Sequence, residues 1–254
     1  MATMTAHDKR GFDFTRWGLP ALLILMLACN IGFWTQARHA RTTWGNVPPV
    51  PSERGATIAM LGDAQMGYRV YGLMLQNLGD IGGRITNLAQ YDYTALKDWF
   101  FLEDSLDPKS NYIPALAAYY YGATTKQEDL TPVIDYLEVI GQRPEPQKWR
   151  WLAQAVFLSR YTQNDLVRSF DLATKLANLS TPDMPAWTRQ MPAFILVARG
   201  EKEAAYDILM GMLQNDAEKM DPAEIRLIRD WICDKILTPS QAATHPVCTS
   251  IPGG

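Results

Sequence analysis

Histidine is scarce in this 254-residue chain, and where it occurs it stands alone: His7, His39 and His245 fall near the ends or in a linker. None sits among carboxylates in a segment that reads as folded core, so a histidine-based acid–base or zinc site is not expected. There is no G-x-S-x-G elbow, no C-x-x-C pair and no H-E-x-x-H. The glycine-rich stretch Gly79-Asp80-Ile81-Gly82-Gly83-Arg84 lacks the Lys-Ser/Thr that a phosphate loop needs, and reads as a helix stop. Basic residues never run beyond pairs, and with a net charge of −3 the chain has no nucleic-acid footprint. Alternating β-branched runs are absent too, which removes the usual signature of strands. The chain is read as a non-enzyme with no cofactor.

What the chain does contain is one long apolar run. Residues Trp17 to Trp34 carry no charge, and the two tryptophans stand at its ends, where amphipathic rings favour the lipid–water interface. A bilayer core needs about 20 helical residues, so 17–35 is assigned as a membrane anchor behind a short tail, 1–16. A cleaved signal is the competing reading. Leu27-Ala28-Cys29 is a faint lipoprotein box, but Ile31, Gly32, Phe33 and Trp34 continue the apolar run past the cysteine, which favours an uncleaved anchor. Lys9, Arg10 and Arg16 precede the run and Arg38 and Arg41 follow it. That small bias places the tail inside and the rest of the chain outside the cytoplasm. Cys233 and Cys248 lean the same way, since their spacing suits a disulfide over the tail; two separate thiols are the alternative. Residues 36–54, with Pro48, Pro49 and Pro51, are expected to form an extended linker that holds the following domain off the membrane.

From residue 55 to 237 the apolar periodicity is helical. Ile58, Leu61, Gln65, Tyr68, Gly72, Leu75 and Leu78 recur at steps of three and four, predicting one amphipathic helix. Asp92 is placed to cap a helix that Asp107-Pro108 ends, and Asp221-Pro222 opens a last one through Ile236. The tail 238–254, with Pro239, Pro246 and Pro252, is expected to be non-helical. A longer step of about 36 residues also recurs. It aligns Ile134, Phe170 and Tyr206, then Leu137, Ala173 and Leu209, then Ile140, Leu176 and Met212, as the second helices of three successive hairpins. In the first helices Ile113, Leu116, Ala117 and Tyr120 align with Trp149, Leu152, Ala153 and Val156.

The pattern W-x2-L-A-x2-(Y/V), and Gly200-Glu201-Lys202-Glu203-Ala204-Ala205-Tyr206 entering a second helix, resemble the tetratricopeptide repeat over about residues 92–215. The period is longer than the usual 34 residues of that family, and the last first-helix is degenerate around Pro185 and Pro192. The resemblance implies an all-α solenoid of helix hairpins that binds rather than catalyses. Bacterial membrane-anchored proteins of this kind assist in cytochrome maturation, envelope assembly or secretion. The expected role is therefore an assembly scaffold of a bacterial inner-membrane complex, with its repeats in the periplasm. The alternative is a permanent structural subunit of a respiratory or photosynthetic complex. The expected partners are proteins in or at the membrane, with the lipid bilayer met through the first helix.

Two clusters remain. Glu103, Asp104 and Asp107 form an acidic group at a helix end, read as a solvated turn. Residues 99–121 are dense in aromatics, and Tyr119, Tyr120 and Tyr121 are spread over about 200° of a helix, so they cannot all face inward. By the column that contains Val156, Tyr120 is assigned to the core and Tyr121 to the surface. Arg150 is likewise left exposed. Tyr121, Arg150, Asn111 and Arg189 are the expected partner-binding residues, since exposed Tyr and Arg side chains dominate protein interfaces.

Overall fold

The computed structural model describes residues 14–38, 46–81 and 84–249. It divides into an N-terminal unit and a helical unit that begins at Trp44.

The N-terminal unit is helix α1, Phe14–Ala37. Its stretch Gly18–Ala37 has a mean hydropathy of 1.7 and buries nothing. Leu19, Leu23, Leu27 and Phe33 are as exposed as Leu22, Ile24, Met26 and Ile31, so the helix is apolar all round. A helix without a polar face has no stable place in water, and at about 36 Å this one is long enough to cross a bilayer. At its end the Arg38 guanidinium lies 5.1 Å from the centre of the Trp34 ring. The side chain of Trp17 lies outside the described residues.

The helical unit starts earlier than the linker assignment 36–54 allows. Val47 is buried, Asn46 Nδ2 donates to the Gln90 carbonyl at 3.0 Å, and Trp99 Nε1 donates to the Pro48 carbonyl at 2.7 Å. Proline cannot donate, but its carbonyl accepts. The strand-like piece that was expected to act as a spacer is therefore pinned to the domain.

Where one helix was expected across residues 58–78 there are two, α2 (Glu53–Ala59) and α3 (Ala64–Gln76). Leu61 and Gly62 adopt left-handed backbone, φ 56° and 90°, and Asp63 restarts the helix by accepting from the Met66 N–H. The three-and-four spacing survives the break, which is why it was invisible in the periodicity. Tyr68, Gly72 and Leu75 do line a buried face. Beyond Gly79 (φ 84°), Asp80–Ile81 pairs antiparallel with Arg84–Ile85, a two-residue ladder in an otherwise all-α chain.

Helix α4, Tyr93–Leu106, is capped by Asp92 and stops at Asp107 as its sequence requires. There follow α5 (Tyr112–Ala115), α6 (Leu130–Gly141), α7 (Trp149–Phe157), α8 (Leu166–Leu179), α9 (Trp187–Arg199), α10 (Lys202–Asp216) and α11 (Pro222–Trp231). Three of these, α5, α7 and α11, run on into π turns at Leu116–Tyr120, Leu158–Thr162 and Ile232–Ile236. From α6 to α10 each helix packs on the next in sequence. Leu137, Ala173 and Leu209 are all fully buried, as the 36-residue step requires; Phe170, Tyr206 and Met212 are half-buried. Across α6 and α8, Arg168 and Lys175 share Glu138, and Arg168 also reaches Asp135 at 3.1 Å.

At Gly141 one helix lies close against the next. A Cβ built there would overlap the backbone nitrogen of Leu152 and lie 2.7 Å from its Cα, so glycine is required by space rather than by φ. Backbone cannot rotate aside as a side chain does. Gly141→Ala is expected to cost about 3 kcal/mol, the upper end for over-packing, read as a lowered denaturation midpoint.

The tail departs from the non-helical expectation. Pro239 and Pro246 each open a short helix, α12 (Pro239–Ala242) and α13 (Pro246–Thr249), because a first-turn proline has no N–H to lose. Thr238 closes a capping box with Gln241. Cys233 and Cys248 are joined as a disulfide with Cα atoms 5.8 Å apart, stitching α13 to the end of α11. Residues 250–254 lie outside the described part of the chain.

Candidate functional site

The tyrosine triplet is placed the opposite way round from the column assignment. Tyr121 is fully buried, while Tyr119 and Tyr120 are 65% and 42% exposed. Buried Ile113, Pro114, Ala117, Ala118 and Tyr121 recur at steps of three and four, so one turn beyond Ala117 the inward position is Tyr121. Its hydroxyl donates to the Leu75 carbonyl at 2.7 Å, and its carbonyl accepts from the Tyr93 hydroxyl at 3.0 Å. The rings of Tyr91, Phe100 and Tyr120 pack around it at 5.9, 5.4 and 5.0 Å. Burial pushes its hydroxyl pKa far above the ordinary tyrosine value. Tyr121 is an interior residue, and the expectation that it meets a partner is corrected.

The other three expected contact residues separate. Asn111 is exposed, but its Oδ1 accepts from Trp151 Nε1 at 2.7 Å and so orients that indole. Arg189 is half-buried, and reaches Glu224 Oε1 at 3.2 Å together with Gln190 Nε2, tying α9 to α11. Arg150 lies on open surface, with its guanidinium 5.6 Å from the Trp149 ring centre.

Arg150 belongs to a groove of ≈ 500 Å3 that three successive first helices build. Tyr119 comes from the end of the α5 hairpin, Trp149, Arg150, Ala153, Gln154 and Phe157 from α7, and Trp187 and Met191 from α9. On α7 these residues form one stripe, because steps of three and four return to the same face. Ala153 at the floor leaves the depth; the aromatic rings make the walls. Trp149 and Trp187 meet edge to face at 5.8 Å, and Tyr119 meets Trp151 in the same way at 6.1 Å. Among the described residues Arg150 has no carboxylate within ion-pair distance, and no acidic residue lines the groove. Of the aromatic-dense residues 99–121 only Tyr119 lines the groove, and the contribution of Trp187 and Met191, from a first helix that reads as degenerate, was not visible in the sequence.

A second cluster lies inside. Glu103 and Asp104, expected in a solvated turn, are both buried. Asp104 is flanked by the Arg143 guanidinium and, at 4.0 Å, by the ammonium of fully buried Lys148. Lys148 Nζ donates to the Ser110 carbonyl at 2.6 Å. Burial raises the Asp104 pKa while the two cations act against that, and burial lowers that of Lys148. Glu103 has no such partner. Neither of its oxygens accepts or donates a hydrogen bond, and a Cβ on Gly72 would lie 3.2 Å from Oε2. Burial pushes its carboxyl up to about 8, so it is mostly protonated at neutral pH. The hydroxyl of buried Tyr136 is also without a partner. Among the described residues no three His, Cys, Asp or Glu side chains gather as metal ligands.

Comparison with known proteins finds no matching family model, no matching curated protein and no matching solved structure.

Proposed function

We propose that this chain is a membrane-anchored, tetratricopeptide-like scaffold that binds a protein partner in its aromatic groove and serves assembly of a bacterial inner-membrane complex. The observation that carries the reading is the groove itself. Exposed Tyr119 and Phe157 and half-buried Trp149 and Trp187 surround an Arg that has no counter-charge among the described residues, and these are the residue types that anchor protein interfaces. Support for the repeat comes from the order of packing from α6 to α10 and from the buried column Leu137, Ala173 and Leu209. A groove assembled from consecutive first helices is the kind of surface that stacked hairpins offer. Support for a periplasmic domain comes from the Cys233–Cys248 bond, since disulfides persist in oxidising compartments. The α1 helix supplies the anchor, and anchoring confines the domain to partners at the membrane.

A permanent structural subunit is the second reading. What favours it is that bare aromatic surface continues past the groove, where exposed Tyr161 meets the groove residue Phe157 at 5.0 Å. Purification from native membranes with identification of co-purifying chains separates the two. A scaffold yields substoichiometric partner that a high-salt wash removes; a subunit yields fixed stoichiometry. In the same experiment Tyr119→Ala and Arg150→Ala are expected to keep stability within about 0.5 kcal/mol of the parent. Each is expected to weaken partner recovery by about 2 kcal/mol, roughly thirtyfold in affinity. Full recovery of partner with both substitutions in place rules the groove out as the binding site.

A further inference from the structure

The end of the helical unit that follows the anchor carries a second apolar surface, away from the groove. Ile58 on α2, Leu61 in the turn, and Met66, Val70 and Leu73 on α3 are all exposed. Met66, Val70 and Leu73 are four and three residues apart and share one face of α3, the face opposite buried Tyr68, Gly72 and Leu75. Leu61 is 96% exposed at the tip of the turn, in the left-handed conformation that leucine adopts rarely.

The place where the anchor's chain enters the domain lies close to this surface. Pro48 is held by Trp99, the Trp99 ring meets Tyr71 at 5.5 Å, and the Tyr71 hydroxyl reaches the Ala56 carbonyl of α2 at 3.5 Å. Only residues 39–45 separate Arg38, at the end of α1, from Asn46. Fully extended, that length of chain reaches about 28 Å. With Asn46 and Val47 already committed to the domain, the leash to a membrane helix is short, whatever its course.

We propose that this surface rests on the lipid bilayer, with Leu61 and Ile58 entering the headgroup–acyl boundary beside the turn. The proposal depends on α1 being a membrane anchor. Three things favour lipid as the occupant. The leash keeps this end of the domain near the bilayer. Leu61 stands 96% exposed at the tip of the turn, and a fluid acyl layer accommodates such a wedge where a protein partner would need a cavity shaped to it. The charges around the patch are mixed, Glu53 and Asp63 against Arg54 and Arg69, so burial of apolar side chains drives the contact and anionic lipid is not needed.

The test uses the full chain with Cys29→Ser, reconstituted in phosphatidylcholine vesicles and carrying one environment-sensitive fluorophore at Leu61→Cys, Ile24→Cys or Val167→Cys. Val167 is an exposed apolar residue on α8 and reports ordinary solvent exposure. A label at Ile24 is expected to be quenched by lipid spin-labelled deep in the acyl chain. A label at Leu61 is expected to shift to the blue and to lose emission to lipid labelled near the headgroup. A label at Val167 is expected to respond only to aqueous iodide. Iodide quenching at Leu61 equal to that at Val167, with Ile24 in lipid, overturns the proposal. Protection of Leu61 from both lipid and iodide overturns it in favour of a protein cover, a second copy included. An Ile24 label that no lipid quencher reaches removes the anchor and the proposal together.

Discussion

Tyr121→Ala is expected to lower the stability of the helical unit by about 4 kcal/mol, the usual cost of emptying a buried aromatic site. The ring is fully buried and touches Tyr91, Tyr93, Phe100 and Tyr120, residues drawn from α4, from the segment before it and from the same turn. No single neighbour can move into the space without leaving another. The hydroxyl adds a second contribution. Its bond to the Leu75 carbonyl ties the end of α3 to this turn, and Tyr121→Phe, which removes only that bond, is expected to cost about 1–2 kcal/mol. Tyr120→Ala provides the contrast, because that ring is 42% exposed and loses little more than one edge-to-face contact, about 1 kcal/mol. Urea midpoints of the three proteins in mild detergent check the order. A Tyr120→Ala protein less stable than Tyr121→Ala would put the register back where simple helical columns had it.

The tyrosine triplet also shows where sequence reasoning stops. Caps such as Asp92 and Asp221-Pro222, and the buried column Leu137, Ala173 and Leu209, were legible because each depends on local chemistry or on a constant 3.6-residue period. The slip at the triplet came from aligning Tyr120 with Val156: from buried Ile113 and Ala117 steps of four lead to Tyr121, and Tyr120 falls on the exposed flank. The break at Leu61-Gly62 escaped because the three-and-four spacing of the sequence runs straight across it, although Ile58 and Leu61 are exposed and the buried stripe begins only at Tyr68. Short helices at Pro239 and Pro246 were hidden because proline marks helix starts as well as stops. The groove was half legible. Aromatic density and exposed Arg150 were visible, but Trp187 joins them only through the stacking of α9 beyond α7.

The buried carboxylates were the least legible feature, since an acidic pair before Asp107-Pro108 has the composition of a solvated helix end. Their burial is tertiary. Arg143 and Lys148, which lie about 40 residues downstream in the loop before α7, come back over α4 and set two positive charges beside Asp104, and among the described residues no cation comes beside Glu103. Groups facing Glu103 include Tyr68 and Tyr112, whose own pKa values its charge helps to raise, and Tyr136 beyond. A carboxyl held at about 8 in the folded chain, against 4.5 when free, makes stability depend on pH in a definite direction. Below pH 4.5 the group is protonated in both states and costs nothing electrostatically. Between 4.5 and about 8 the unfolded chain ionises while the folded one keeps its proton, so folding stability falls as pH rises. At pH 7 the accumulated penalty is about 3 kcal/mol, and above pH 8 it levels off. Glu103→Gln keeps the shape and removes the titration. Its stability relative to the parent is expected to climb by about 1.4 kcal/mol per pH unit from pH 5 to pH 7, whatever offset the amide itself introduces. That slope is the measurement, because a packing defect shifts the whole curve and leaves the slope alone. Parallel stability curves for the two proteins over pH 5–8 would mean that water or a partner atom reaches Glu103, and that the charge is not excluded from the interior.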